Sequence, residues 1–162
     1  MTTRRIVLVG ALVAPLVGCG FELRRAPALA FRSIALVGFA RHSPLAAELR
    51  RSLAQVAEVS SSPHGAAVVL EALAERREKI VVASTAAGQV RELQLRVRLN
   101  FRLSTRAGKP LLEPDEILLK RDMTYRETDA LAKEAEESEL YKAMEADVAQ
   151  RVLHRLAAVK AL

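Results

Sequence analysis

The sequence predicts an α+β domain: two helices packed on one face of a four-stranded, mainly antiparallel sheet, in the order β-α-β-β-β-α. Three patterns carry that prediction. Leu93, Leu95, Val97, Leu99, Phe101 and Leu103 alternate with Glu92, Gln94, Arg96, Arg98, Asn100 and Arg102. Such alternation is the mark of a strand with one buried and one wet face. From Asp129 onward about thirty residues are rich in Ala, Glu, Lys and Leu and free of Gly and Pro, which suits one long helix. Ser43-Pro44 offers an N-cap followed by proline at the first helical position, ahead of a second amphipathic stretch.

In chain order, residues 31–39 ("FRSIALVGF") form a first strand. Leu45, Leu49, Leu53 and Val56 then recur at helical spacing, with Glu48, Arg50, Arg51 and Gln55 between them. The stretch "SSSPHG", 60–65, reads as a loop that ends this helix. Residues 66–74 and 79–84 are apolar or β-branched and form one long or bulged second strand. Ala86-Ala87-Gly88-Gln89 makes a turn, with a glycine available for positive φ. The alternating strand follows, then "STRAGKP" as another turn and a fourth strand over 116–125. Strands joined by hairpins pair antiparallel. In the last helix Leu131, Ala135, Ser138, Tyr141, Met144, Val148, Val152 and Leu156 step along one face. Glu134, Glu136, Glu137 and Glu139 sit early, and Arg151, His154, Arg155 and Lys160 late, which matches the helix dipole.

The first eighteen residues are of another kind. Arg4 and Arg5 precede an apolar run, 6–17, of secretory-signal length, interrupted by Gly10 and Pro15. Leu16-Val17-Gly18-Cys19 then resembles the bacterial lipobox, in which the cysteine thiol takes a diacylglycerol before cleavage makes it the new N-terminus. The expected organisation is therefore 1–18 as a cleaved lipoprotein signal peptide, 19–30 as a lipidated tether and 31–162 as a single domain. By resemblance to bacterial lipoproteins, a residue other than Asp after the cysteine, here Gly20, implies export to the outer membrane. Each buried methylene of an acyl chain contributes about 0.8 kcal/mol, so the several chains of a mature lipoprotein anchor it firmly.

Composition narrows the chemistry. The chain of 162 residues carries a net charge of +6, and losing Arg4 and Arg5 with the signal leaves +4. That surplus does not argue for a nucleic-acid partner, and no aromatic side chains interleave with the arginines to stack bases. A single cysteine excludes an internal disulfide and a cysteine-rich metal site. His42, His64 and His154 lie apart, without ligands at metal spacing. No nucleophile elbow, phosphate loop or zinc-protease motif occurs. The expectation is a protein that is not an enzyme and holds no cofactor or metal. Arg96, Arg98 and Arg102 share the polar side of the alternating strand. They suit either a solvated, edge-protecting face or a surface for phosphates or carboxylates.

Three segments together resemble the lipopolysaccharide-assembly lipoprotein family LptE. The first is Cys-Gly-aromatic-x-Leu-Arg, matched by Cys19, Gly20, Phe21, Leu23 and Arg24. The second is a strand opening matched by Gly88, Glu92 and Leu95. The third combines Leu131, Ala132, Lys133 and Glu136 with Met144, Ala149 and Gln150 in the final helix. The resemblance implies a non-enzymatic protein that plugs the outer-membrane β-barrel LptD, assists its assembly, and binds lipopolysaccharide on its way to the surface. It implies ligand contacts from basic residues near the second turn and at the start of the last helix. Lys133 matches the latter. At the former this chain has Ala86, and Arg91 or Arg96 could substitute. The candidate set is thus Cys19 for lipidation, with Lys133, Arg91, Arg96, Arg98 and Arg102 for lipopolysaccharide. The alternative is a freestanding, periplasm-facing lipoprotein that binds an anionic lipid or glycan on its arginine face.

Overall fold

The computed structural model describes residues 28–160; the signal segment, Cys19 and most of the tether lie outside the described residues. The elements are β1 (Ser33–Val37), α1 (Pro44–Leu53), β2 (Glu58–Ser60), β3 (Val68–Ser84), β4 (Val90–Thr105), β5 (Pro110–Thr124) and α2 (Ala130–Ala157). Short 3-10 turns at Pro63–Gly65 and Glu127–Asp129 precede β3 and α2.

Two features of the predicted sheet are corrected. It has five strands, not four, in the order β2-β1-β3-β4-β5. It is mixed rather than mainly antiparallel, because β1 runs parallel to both β2 and β3. The extra strand spans three residues, too few to show a period in sequence. The parallel pairing follows from α1, since a strand that crosses over through a helix returns in the same direction. The hairpin rule holds for β3, β4 and β5, which pair antiparallel as a long meander.

The alternation in β4 is realised in full. Leu95, Val97, Leu99, Phe101 and Leu103 are essentially inaccessible, and Leu93 nearly so. They face Leu45, Leu49 and Leu53 of α1 and Tyr141, Met144, Val148, Val152 and Leu156 of α2 within one core. Ser43 caps α1 as expected: its hydroxyl accepts from the Ala46 N–H at 2.8 Å and donates to Glu75 Oε1 at 2.6 Å. β5 starts at Pro110, six residues ahead of the predicted 116. Proline there signals a break in sequence, yet it is tolerated because β5 is the outer strand and owes no ladder bond on its free side.

The helical face is as read only from Tyr141 onward. Leu131 is 83% exposed, and Ala135 and Ser138 are exposed as well. The early turns of α2 meet the sheet with polar side chains instead: Lys133 reaches Thr124 of β5, and Glu137 takes a hydrogen bond from Lys79 of β3.

Candidate functional site

Three register slips in the β3–β4 ladder shape the sheet. They fall between Ala72 and Ala74, between Val81 and Ala83, and between Ala83 and Ser84. The first two leave Leu73 and Val82 as extra residues on β3, and both are exposed. At the third, Ala83 pairs Glu92 and Ser84 pairs Val90, so Arg91 is the extra residue on β4. A bulge re-aims the side chain that it carries. Here two bulges lie together at the turn end of the meander.

That end is closed by the Thr85–Gln89 turn. Thr85 N–H donates to the Gln89 carbonyl at 2.8 Å, and Gly88 takes φ +78°, a conformation that glycine adopts without Cβ strain. The chain leaving β5 returns to the same place: Tyr125 N–H donates to the Arg91 carbonyl at 2.8 Å. Arg91 and Arg126 consequently line one hollow of about 260 Å³ with Gln89, Val90, Glu127 and Thr128. A second hollow shares Glu127 and Thr128 and continues along Ala130, Leu131 and Ala132. Exposed Val81, Val82 and Leu131 make this end apolar as well as basic.

Lys133 lies at the same end, but its ammonium is committed. It donates to Thr124 Oγ1 at 3.2 Å and pairs with Glu136 at 2.7 Å. Arg96, Arg98 and Arg102 are brought together on the opposite, helix-free face of the sheet. Lys120 is there too, in register with Arg96. Arg98 pairs with Glu116 at 2.8 Å and Arg102 with Glu71 at 2.7 Å. Arg96 Nε donates to Gln94 Oε1 at 2.8 Å, and Gln94 donates in turn to Asp122 at 2.8 Å. The predicted set therefore divides into a laddered row on the open face and a pair, Arg91 and Lys133, at the tip. Arg126 is the residue the sequence reading missed. Its only signal was a cation in the connector just before the last helix.

Groups with displaced titration lie elsewhere, along the seam of β3 and α2. Glu145 is buried, with Oε1 3.4 Å from Arg77. Burial lifts its carboxyl above the ordinary 4.5, the nearby Arg77 charge opposes this, and Glu75 adds to it. Tyr141 donates to the Glu78 carbonyl at 2.8 Å beneath the Arg77 guanidinium, and burial raises its phenol. Lys79 is raised by its hydrogen bond to Glu137 at 2.9 Å. These contacts fasten α2 to the sheet. Among the described residues no group of His, Cys, Asp and Glu is placed to hold a metal ion, and no helix is long and apolar enough to cross a membrane.

The fold agrees with an independent comparison. A family model described as LptE, lipopolysaccharide-assembly, matches residues 31–156, nearly all of the described chain. The chain belongs to the LptE family. LptE membership makes it a lipopolysaccharide-assembly lipoprotein of the cell envelope. Among solved structures it is similar to an uncharacterized lipoprotein B from Nitrosomonas europaea: 28% identity over 86% of this chain and 91% of that one, with a TM-score of 0.72. Rare lipoprotein B from Shewanella oneidensis is 25% identical over 78% of this chain and 95% of its own, with a TM-score of 0.63. A minor lipoprotein from Acinetobacter baumannii shares the fold: 21% identity, 80% and 93% coverage, TM-score 0.66. No curated protein matches the sequence.

Proposed function

We propose that this LptE-family protein is an outer-membrane lipoprotein that plugs the LptD translocon barrel, assists its assembly and helps deliver lipopolysaccharide to the cell surface. The observation that carries the reading is the family match across the whole two-layer domain, preceded by a lipobox ending in Cys19. In this reading residues 1–18 are removed on export, acyl chains on Cys19 hold the protein to the bilayer, and 19–30 is the tether. The domain does its work by shape and charge without chemical catalysis. Arg91 contributes to lipopolysaccharide contact at the sheet tip, where bulged backbone sets cation and apolar surface side by side, and Lys133 joins it by exchanging Glu136 for the ligand. The open-face arginines Arg96, Arg98 and Arg102 serve that contact less, because carboxylates already neutralise two of them. The same pairing disfavours a freestanding carrier that binds an anionic lipid or glycan on that face.

The test is copurification. A tagged copy drawn from detergent-solubilised outer membrane brings down a large β-barrel protein in near-equal amount. Recovery of the lipoprotein alone would refute the plug. In parallel, Cys19→Ser yields an uncleaved, unacylated product with altered mass and weakened membrane retention; an unchanged mature product refutes the anchor.

A further inference from the structure

The sheet ends in two outer strands of unequal kind. β2 spans three residues, whereas β5 spans fifteen. Asp115 to Thr124 of β5 pair with β4 without a slip, and their other side faces no strand. Tyr125 N–H donates to the Arg91 carbonyl, so along this run the odd-numbered residues bond inward to β4. The even-numbered Glu116, Leu118, Lys120 and Asp122 therefore turn their N–H and C=O groups to the free edge. Register slips and Pro114 spoil β5 as a template ahead of Asp115, but beyond it the ladder is unbroken.

A strand that adds antiparallel to this edge must oppose even residues to even residues. A second copy of the same strand, turned about Leu118, meets that demand and matches in its side chains. Glu116 then faces Lys120 of the second copy on the open side of the sheet, and Asp115 faces Arg121 on the helix side. Ile117 faces Leu119, and Leu118 meets its own copy. Neighbouring registers fail: an axis at Leu119 opposes Glu116 to Asp122, one at Lys120 opposes that lysine to itself, and one at Ile117 sets Lys120 against Pro114. Charges that protect the edge from strands in general thus admit this one. The helix layer repeats the symmetry. Arg121 pairs with Asp147 at 3.2 Å and Asp115 with Arg155 at 3.0 Å, so the two ion pairs flank Leu118 evenly on β5 and Arg151 evenly on α2. Turned about Leu118, each pair meets the opposite pair of the other copy, with signs alternating. A hollow of about 420 Å³ opens between Glu116, Ile117 and Leu118 of β5 and Arg151 and Arg155 of α2, so the helix does not cap the edge there. We infer that β5 is a self-association edge, and that two copies of this chain join their sheets antiparallel with the two-fold axis at Leu118. The pairing does not depend on the proposed plug role.

The test follows the mass of the detergent-solubilised full chain by sedimentation across a concentration series. A monomer–dimer equilibrium is expected. Glu116→Lys and Lys120→Glu are each expected to raise its midpoint about tenfold, because the two-fold axis repeats every opposed like-charge pair. Combining Glu116→Lys with Lys120→Glu is expected to restore the parent midpoint, which a merely misfolded variant cannot do. Leu118→Cys is expected to form an intermolecular disulfide on mild oxidation, since directly opposed residues of a bonded pair lie about 5.5 Å apart between Cα atoms. Thr124→Cys, far from the axis, is expected to form none. The inference is overturned by a parent that stays monomeric at every concentration, by a combined variant that does not regain the dimer, or by cross-linking as strong at 124 as at 118. It is also overturned if a photocrosslinker at position 118, activated in intact membranes, captures a different protein and no second copy; the edge then belongs to that protein.

Discussion

Gly38 follows β1 at φ +80°, and an added Cβ there would lie 2.3 Å from the Ala72 carbonyl oxygen. Ala72 is the residue just before the extra Leu73 on β3, so the missing side chain is what lets β1 close onto the bulged strand. Gly88 has nearly the same φ, +78°, but an added Cβ there meets nothing within 4 Å. The pair separates two costs. Alanine in a left-handed conformation costs roughly 1–2 kcal/mol, offset by about 0.4–1 kcal/mol from the stiffer unfolded chain. Gly88→Ala should therefore destabilise by about 0.5–1 kcal/mol. Gly38→Ala adds a backbone clash that no rotamer change relieves, worth about another 1–3 kcal/mol, for a total near 3 kcal/mol. At roughly 3–4 °C per kcal/mol for a domain of this size, Gly38→Ala lowers Tm by about 10 °C and Gly88→Ala by about 3 °C. Thermal unfolding followed by far-UV circular dichroism reads both. Equal shifts would show that β1 does not sit against Ala72 as described.

Three further perturbations test the packing and the seam. Met144 is fully buried between α2 and the β4 row, so Met144→Ala should cost about 2–5 kcal/mol in urea unfolding; a loss under about 1 kcal/mol contradicts its placement. Ser43→Ala removes the α1 cap and leaves Glu75 Oε1 without its donor, so it should destabilise by about 1–2 kcal/mol, and a neutral result contradicts both bonds. Glu145 has a carboxyl raised above 4.5, so the folded chain holds its proton more tightly than the unfolded chain does. Its contribution is fully present below 4.5 and lost as pH rises through the higher folded value. Glu145→Gln should accordingly gain stability relative to the parent as pH rises from about 4.5 toward neutrality, seen as a widening difference in Tm; a constant difference across that range refutes the assignment.

Much of this molecule was legible before its structure was known, because the signals involved are local. Alternation in 92–103 records one face buried and one wet, and each inward residue of that run is buried in the fold. Ser43-Pro44 carries its own capping chemistry, and it caps α1 as written. The resemblance through Leu131–Glu136 and Met144–Gln150 belongs to a family model that matches 31–156.

What sequence could not hold was whatever depends on partners distant in the chain. β2 is too short to show a period and exists only because β1 offers it an edge. The buried apolar stripe of α2 stops at Tyr141 although its spacing runs on to Leu131, since the early turns meet the sheet through Lys133 and Glu137, which bond Thr124 and Lys79, and periodicity alone does not say which side chains the sheet will meet. Arg91 and Arg126 stand 35 positions apart, and only the antiparallel return of β5, fixed by the Tyr125-to-Arg91 backbone bond, sets them in one hollow. The charges themselves were plain in the sequence. Which of them would find a carboxylate was decided by strand register, a property of the assembled sheet that no single strand contains.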